Sequence, residues 1–294
     1  MFNADQINFQ IKKVAKELGI ADVNRVRIIL TLERVIARLM NNPFFKERLI
    51  FCGGFVLFKE WGTNRFTRDA DAIINGVSKE QLIIEVNKSL NLDLNDGFWF
   101  GDTLIEEIST ESGYGGYRFK ILNKIGTSPT IVEMKNLKRI HLDVSIGVDL
   151  EDVAQNVKIN SVLDIFDPFE WKVYPKEFIA AEKIHCLLDR GDLNTRGKDV
   201  YDLSQVLEEI PVDQLVSAIK RTFENRHFGM SDFYNIANEI DTELLKENFN
   251  KAIIVSRKKN FEECWEIILN KMIELDKLLK ANEGHEKIKN KSQQ

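Results

Sequence analysis

Asp69 and Asp71, in the segment RFTRDADAII, are the residues whose type and spacing most directly suggest chemistry. On a β-strand, residues i and i+2 point to the same face. The two carboxylates would leave the backbone about 6–7 Å apart and can converge on one cation. Two like charges side by side on a strand are unfavourable unless something positive lies between them. Mg²⁺ suits such a pair, because it takes carboxylate oxygens together with substrate phosphate, and Mn²⁺ is the alternative ion. A lone D-x-D also arises as a turn residue followed by a solvated one, so the pair has to be read with its neighbours.

Gly53 and Gly54 lie ahead of the pair, after a short apolar strand (49–52) and before a short helix (55–61) that Gly62 stops. Glycine lets backbone N–H groups approach a phosphate, and a helix start adds favourable partial charge. A diglycine can equally be a tight turn. A third carboxylate would complete a metal site, and Asp143 in RIHLDVSIG is the candidate. Alternation there puts Ile140, Leu142, Val144 and Ile146 on one face and His141, Asp143 and Ser145 on the other. His141 reads as a surface neighbour rather than a ligand. Arg65 and Arg68 can bind phosphates beside the metal or pair with the aspartates.

These residues need a scaffold. Helical periodicity marks 5–18, 24–40 and 78–90. A second apolar strand covers 70–74. Between 97 and 149 the texture is that of antiparallel strands, in GYRFKIL, TIVEMKNL and RIHLDVSIGVDL. Residues 161–168 read as a loop. From Pro175 the pattern is helical, over 176–190, 198–210, 212–226, 231–249 and 260–281, with Ser231 and Asp232 placed to cap the fourth of these. The tail 282–294 is polar and reads as disordered. The fold class expected is α+β: a mixed-sheet lobe with N-terminal helices over 1–168, then a helical lobe over 169–281.

The net charge of −5 over 294 residues does not advertise a polyanionic partner, though a basic patch can sit on an acidic protein. Cys52, Cys186 and Cys264 stand in no metal-ligand spacing and read as buried free thiols of a reducing compartment. No apolar run reaches the ~20 residues needed to cross a bilayer, and the N-terminus has no signal-peptide pattern. The expectation is a cytoplasmic protein without a membrane partner.

At this point the chain resembles a known family. The stretch GG-x14-D-x-D with RFTRDAD is similar to the first motif of AbiEii/AbiGii-type nucleotidyltransferase toxins. EFIAAEKIHCLLDRGDLNTRGKDVYDL is similar to the rest of that signature, an A-E-K helix followed after an arginine-containing loop by K-D-x-x-D-L. The resemblance implies a polymerase-β-like nucleotidyltransferase lobe, a nucleoside triphosphate used with Mg²⁺, and a role as the toxin of a toxin–antitoxin or phage-defence pair with a cognate antitoxin. Some relatives act on tRNA ends, which makes tRNA a candidate acceptor. Gly53, Gly54, Asp69, Asp71, Lys183, Lys198, Asp199 and Asp202 are the positions carried over. One departure is Phe55, where members often have a hydroxyl residue within or after the diglycine.

Physical reading of the second motif adds roles. Lys183 lies at the border of the apolar stripe of helix 176–190 and can snorkel into a cleft, while Glu182 points toward solvent. Asp199 falls within the stripe of its own helix and needs a partner, which Lys183 or Arg196 can supply, or it favours the helix N-terminus. Asp202 borders the polar face and can orient Lys183, bind a nucleotide hydroxyl or act as a base. The mechanism expected is nucleotide transfer to a hydroxyl with release of pyrophosphate. Asp69, Asp71 and Asp143 would hold metal, Gly53 and Gly54 would cradle phosphate, and Lys183 would neutralise developing charge. Arg25, Arg27, Arg34 and Arg38, with Lys220, Arg221, Arg226, Arg257, Lys258 and Lys259, are candidates for an RNA path. Phe223, Phe228, Phe233 and Tyr234 suit core packing better than base stacking. The alternatives are a nucleotide-binding module without transfer, acting through a protein partner, and an enzyme that nucleotidylates a protein hydroxyl.

Overall fold

The computed structural model of the chain describes residues 2–109, 115–147, 152–252, 254 and 259–291, with Ser109 and 282–291 described by backbone alone. The chain divides into two units. Unit 1 runs to Gly62 and from Phe66 to Tyr174; unit 2 comprises Thr63–Arg65 and the chain from Pro175 onward.

Unit 1 contains, in chain order, α1 (Ala4–Glu17), α2 (Val23–Met40), α3 (Pro43–Arg48), β1 (Ile50–Cys52), α4 (Gly53–Glu60), β2 (Asp69–Ile74), α5 (Lys79–Leu90), β3 (Phe98–Ser109), β4 (Gly115–Ile125), α6 (Ile131–Met134), β5 (Arg139–Ile146), β6 (Gln155–Ile159) and β7 (Phe169–Val173). Among the described residues these strands form one mixed seven-stranded sheet in the order β3-β4-β5-β2-β1-β7-β6. β2 runs antiparallel to β1 and parallel to β5, and β1 runs parallel to β7. The mixed sheet and its α+β class are as the sequence implies.

Side-chain caps fix the helix starts. Asn3 and Gln6 make a reciprocal capping box on α1, Asp22 caps α2, and Ser78 caps α5. Helix α2 is the spine of the core, buried from Ile29 to Met40. That stretch includes charge. Arg38 donates to both oxygens of Asp96 at 2.6 and 2.8 Å, donates to the Phe98 carbonyl at 3.2 Å, and lies over the Phe100 ring. Arg34 is buried against the rings of Phe166 and Phe169. Neither side chain faces outward, which removes both from the RNA path suggested by their spacing.

Other local expectations also change. TIVEMKNL is not a strand: Thr130 and Glu133 form a capping box and start α6, so a Thr-x-x-Glu helix signal outweighs β-branched content. α2 ends at Met40 with Asn41 as its C-cap, and Asn42 and Pro43 then cap and open α3. β6 and β7, unmarked in the sequence reading, extend the sheet, so unit 1 reaches Tyr174.

Unit 2 contains α7 (Lys176–Arg190), a 3₁₀ turn (Gly191–Leu193), α8 (Gly197–Val206), α9 (Val212–Asn225), α10 (Phe233–Glu239), α11 (Glu243–Lys251) and α12 (Phe261–Lys291). The helix expected over 231–249 is two helices, broken at Ile240–Thr242. Asp232 makes no side-chain cap; the carboxylate of Asp276 on α12 accepts instead from the N–H groups of Phe233 and Tyr234, at 3.0 Å each. α12 continues to Lys291, beyond the 281 expected, through a Glu- and Lys-containing segment whose polarity masked its helix propensity. Phe223 and Phe233 are core residues. α8 and α11 approach so closely at Gly197 that a Cβ there would lie 2.2 Å from the Leu245 carbonyl oxygen.

Removing one partner of the Arg38–Asp96 pair leaves an uncompensated buried charge. Asp96→Ala should therefore lower unfolding free energy by about 3–5 kcal/mol. Glu17→Ala, which breaks the exposed Lys13–Glu17 pair, should leave the denaturant midpoint unchanged.

Candidate functional site

The D-x-D motif occupies the first turn of pleat in β2. Asp69 and Asp71 are half-buried and alternate with the buried Ala70 and Ala72, so both carboxylates lie on one face of the sheet. Register extends that face. Asp71 pairs with Cys52 on β1 and with Asp143 on β5, and Asp69 pairs with His141. Thr67 Oγ1 donates to the Asp69 carbonyl at 3.1 Å and holds the entry to the strand.

The diglycine lies at this point for a steric reason. Gly53 has φ +70°, a region L side chains rarely adopt, and a Cβ on it would lie 2.2 Å from Asp71 Oδ2. The turn from β1 into α4 is thereby packed against the second carboxylate. α4 begins at Gly53 itself rather than at Phe55, and Phe55 is buried. Arg68 is exposed beside Asp69.

Asp143 comes to the expected face, where it meets a residue that the sequence reading did not name. Arg118 on β4, its register partner, donates from Nε to Oδ1 at 2.8 Å and from Nη2 to Oδ2 at 2.6 Å. The hydrogen bond to Asp143 raises the Arg118 pKa above the ordinary guanidinium value, with Asp69 and Asp71 adding to the effect. Alternation along GYRFKIL is the only sequence signal for Arg118, and it does not show that this strand lies beside Asp143. Among the described residues no group of three or more His, Cys, Asp or Glu is gathered to hold a metal ion. The donors nevertheless suit a hard divalent cation: two carboxylates on one face, a third in register, and a glycine turn against Asp71 where a Cβ would intrude. Asp69 and Asp71 would hold such an ion.

Unit 2 contains the second constellation. Lys183 on α7 donates to Asp199 Oδ1 at 2.5 Å and lies 2.9 Å from Asp202 Oδ2. Arg65 donates from Nε and Nη2 to the two oxygens of Asp202 at 2.6 and 2.7 Å, and its backbone bridges Ile254. Arg196 pairs with the other oxygen of Asp199. Lys183, Asp199, Asp202 and Arg65 are all buried. Burial opposes these charges, but the mutual pairing outweighs it, so Lys183 titrates above the ordinary lysine value and both aspartates below the ordinary carboxylate value.

Lys183 and Asp202 therefore lie inside the helical packing and not at its polar border, and Asp199 has both suggested partners at once. Within unit 2, Arg65 pairs with a carboxylate 137 positions away in sequence. Glu182 is half-buried and pairs with Arg226. Lys198 is exposed and outside the network. Lys259 pairs with Glu208, Arg27 donates to Asn8, and Arg257 and Lys258 lie outside the described residues. Cys264 is buried, whereas Cys52 and Cys186 are half-buried.

Two solved structures are similar to this chain along most of its length. One is JHP933 from Helicobacter pylori, with TM-score 0.54 and 15% identity, covering 91% of this chain and 97% of that one. The other is a candidate nucleotidyltransferase from H. pylori, with TM-score 0.52 and 15% identity, covering 88% and 96%. At this identity the likeness concerns the fold, which is nucleotidyltransferase-like. No curated protein matches the sequence. The profile of the nucleotidyl transferase AbiEii toxin family, of type IV toxin–antitoxin systems, matches residues 34–286, and the protein belongs to that family. It is accordingly a nucleotidyltransferase, with a nucleotide substrate and a cognate antitoxin implied by its family. No helix among the described residues is long and apolar enough to cross a membrane.

Two variants probe the two constellations. Gly53→Ala should abolish nucleotide transfer while circular dichroism stays that of the parent, because the methyl group displaces the Asp71 carboxylate. Asp202→Asn removes the buried carboxylate that both Arg65 and Lys183 engage and should cost about 3–5 kcal/mol at neutral pH. The depressed aspartate pKa values place the network's contribution above the ordinary carboxylate value of 3.8, and it is lost as pH falls further. The gap between parent and variant in urea titrations should hold steady from neutral pH down to about pH 5 and narrow below about pH 4.

Proposed function

We propose that this protein transfers a nucleotide from a nucleoside triphosphate to a hydroxyl of tRNA, with Mg²⁺ held by Asp69 and Asp71, as a toxin restrained by its antitoxin in a toxin–antitoxin or phage-defence pair. The observation that carries the proposal is the contact of the Gly53 turn with the Asp71 carboxylate on the shared sheet face. In this reading the acceptor oxygen forms a bond to the α-phosphorus, the α–β phosphoanhydride breaks, pyrophosphate leaves, and the hydroxyl proton passes to solvent. A divalent cation held by Asp69 and Asp71 would, when bound, make the acceptor hydroxyl more acidic and offset phosphate charge.

The chain's own residues supply the rest. Backbone N–H groups at Gly53 and Gly54 meet phosphate oxygens, and glycine is needed there for close approach. Arg68 supplies an exposed guanidinium next to Asp69 for the triphosphate. The motif resemblance supports a part in nucleotide handling for Lys183, Lys198, Asp199 and Asp202; within unit 2 Lys183, Asp199 and Asp202 act in this reading as one ion-paired group, with Asp202 orienting Lys183.

A second reading, transfer to a protein hydroxyl, gains from the state of the basic residues. Arg34 and Arg38 are buried, and Arg226 and Lys259 are ion-paired, which thins the basic path an RNA backbone would need. The deciding experiment incubates the protein with Mg²⁺, each α-labelled nucleoside triphosphate and total bacterial RNA, beside Asp71→Ala. Label on tRNA-sized RNA, absent with Asp71→Ala, is the expected result. Label on protein alone would move the acceptor to the second reading. Nucleotide binding without any label would leave a binding module, consistent with Phe55 in place of a hydroxyl residue.

A further inference from the structure

The sheet row through Asp71 continues past the two carboxylates that define the site. Across β3, β4, β5, β2 and β1 it reads Glu106, Arg118, Asp143, Asp71, Cys52. The neighbouring row reads Leu104, Lys120, His141, Asp69. Lys120 is drawn diagonally away to Glu106. Arg118 turns the other way and takes both oxygens of Asp143. The Asp143 side chain is 16% exposed and that of Arg118 35%, so the pair is partly buried and still reached by solvent. A bidentate guanidinium–carboxylate pair in such a place is among the stronger and more directional ionic contacts.

We infer that Arg118 is the built-in counter-ion of the carboxylate face and competes with a divalent cation for Asp143, so that it sets how weakly the protein holds that cation. The inference rests on the reading that Asp69 and Asp71 hold the ion. Charge counting shows the consequence. Arg118 cancels one of the negative charges that Asp69, Asp71 and Asp143 bring to the face, and so weakens its attraction for a divalent cation. Without Arg118 that cancelled charge returns, and the two Asp143 oxygens lose the guanidinium that engages them. Oxygen donors are what Mg²⁺ and Mn²⁺ bind, and a guanidinium that occupies them must be displaced before they can ligate. Arg118 is thus a positioning residue: it acts on the metal through Asp143.

The test is Mn²⁺ binding to the full chain, followed by the electron paramagnetic resonance of free Mn²⁺ without nucleotide. The variants are Arg118→Gln, Arg118→Lys, Lys120→Gln and Asp71→Asn, each checked for folding by thermal melting. Arg118→Gln should tighten Mn²⁺ about five- to tenfold, as expected for release of a charge-assisted bidentate pair. Arg118→Lys, which keeps the charge but not the fork, should fall between it and the parent. Lys120→Gln removes the same charge from the same strand and should change affinity by less than about twofold, because that lysine is engaged by Glu106. Equal tightening by Lys120→Gln would reduce the effect to general electrostatics and overturn the inference. So would unchanged or weaker binding in Arg118→Gln while Asp71→Asn still abolishes it, an outcome that leaves the metal reading standing. Absence of Mn²⁺ binding in both the parent and Arg118→Gln would remove the metal reading and the inference together.

Discussion

The pairing of β2 between β1 and β5 is the constraint on which the rest of unit 1 depends. Side chains alternate along a strand, so a slip of one residue would turn Asp69 and Asp71 into the core and bring Ala70 and Ala72 to the surface. The buried alanines resist that slip: they sit at the level of Phe51, Leu142 and Val144, where a carboxylate would lack partners. A single register thereby puts a glycine turn, a D-x-D and a third aspartate on one face, although they come from three separate parts of the chain.

Charge is handled differently in the two units. On the sheet face of unit 1, Asp69 and Asp71 remain half-exposed, and an arginine on the next strand but one brings positive charge to the row by pairing with Asp143. In unit 2 the charged groups are inside the packing and satisfy one another, two carboxylates against Arg65, Lys183 and Arg196. The first arrangement is open to a ligand that brings its own charge. The second favours a fixed geometry, since each carboxylate is held between two cations and removing a member unbalances charge that is already buried.

How much was legible in the sequence follows from the range of the interactions involved. The strand–Gly-Gly–helix–D-x-D order, the polar face of β5 and most helices of unit 2 depend on spacing within a few residues, and they appear as read. Asp143 came from alternation alone and does share the face with Asp71. What was hidden depends on long-range contact. Nothing near Arg65 in sequence announces Asp202, and nothing near Arg118 announces Asp143. Arg34 and Arg38 looked like surface charge because helical periodicity does not reveal that Asp96 and Phe166 will bury them. The misread strand at Thr130 is a different case: the capping box was present in the letters, and β-branched content hid it.

The division of the chain gives the small segment Thr63–Arg65 an unusual status. It belongs to unit 2, while the residues on either side of it, Gly62 and Phe66, belong to unit 1. The polypeptide therefore passes between the units three times rather than once. Cutting the chain at Tyr174 would not yield two complete bodies, because the latter fragment would lack the arginine that satisfies Asp202 and the former would carry that arginine without its carboxylate. Genetic dissection into separately expressed halves, the usual route to assigning activities to lobes, meets in this protein a topology in which neither half is whole.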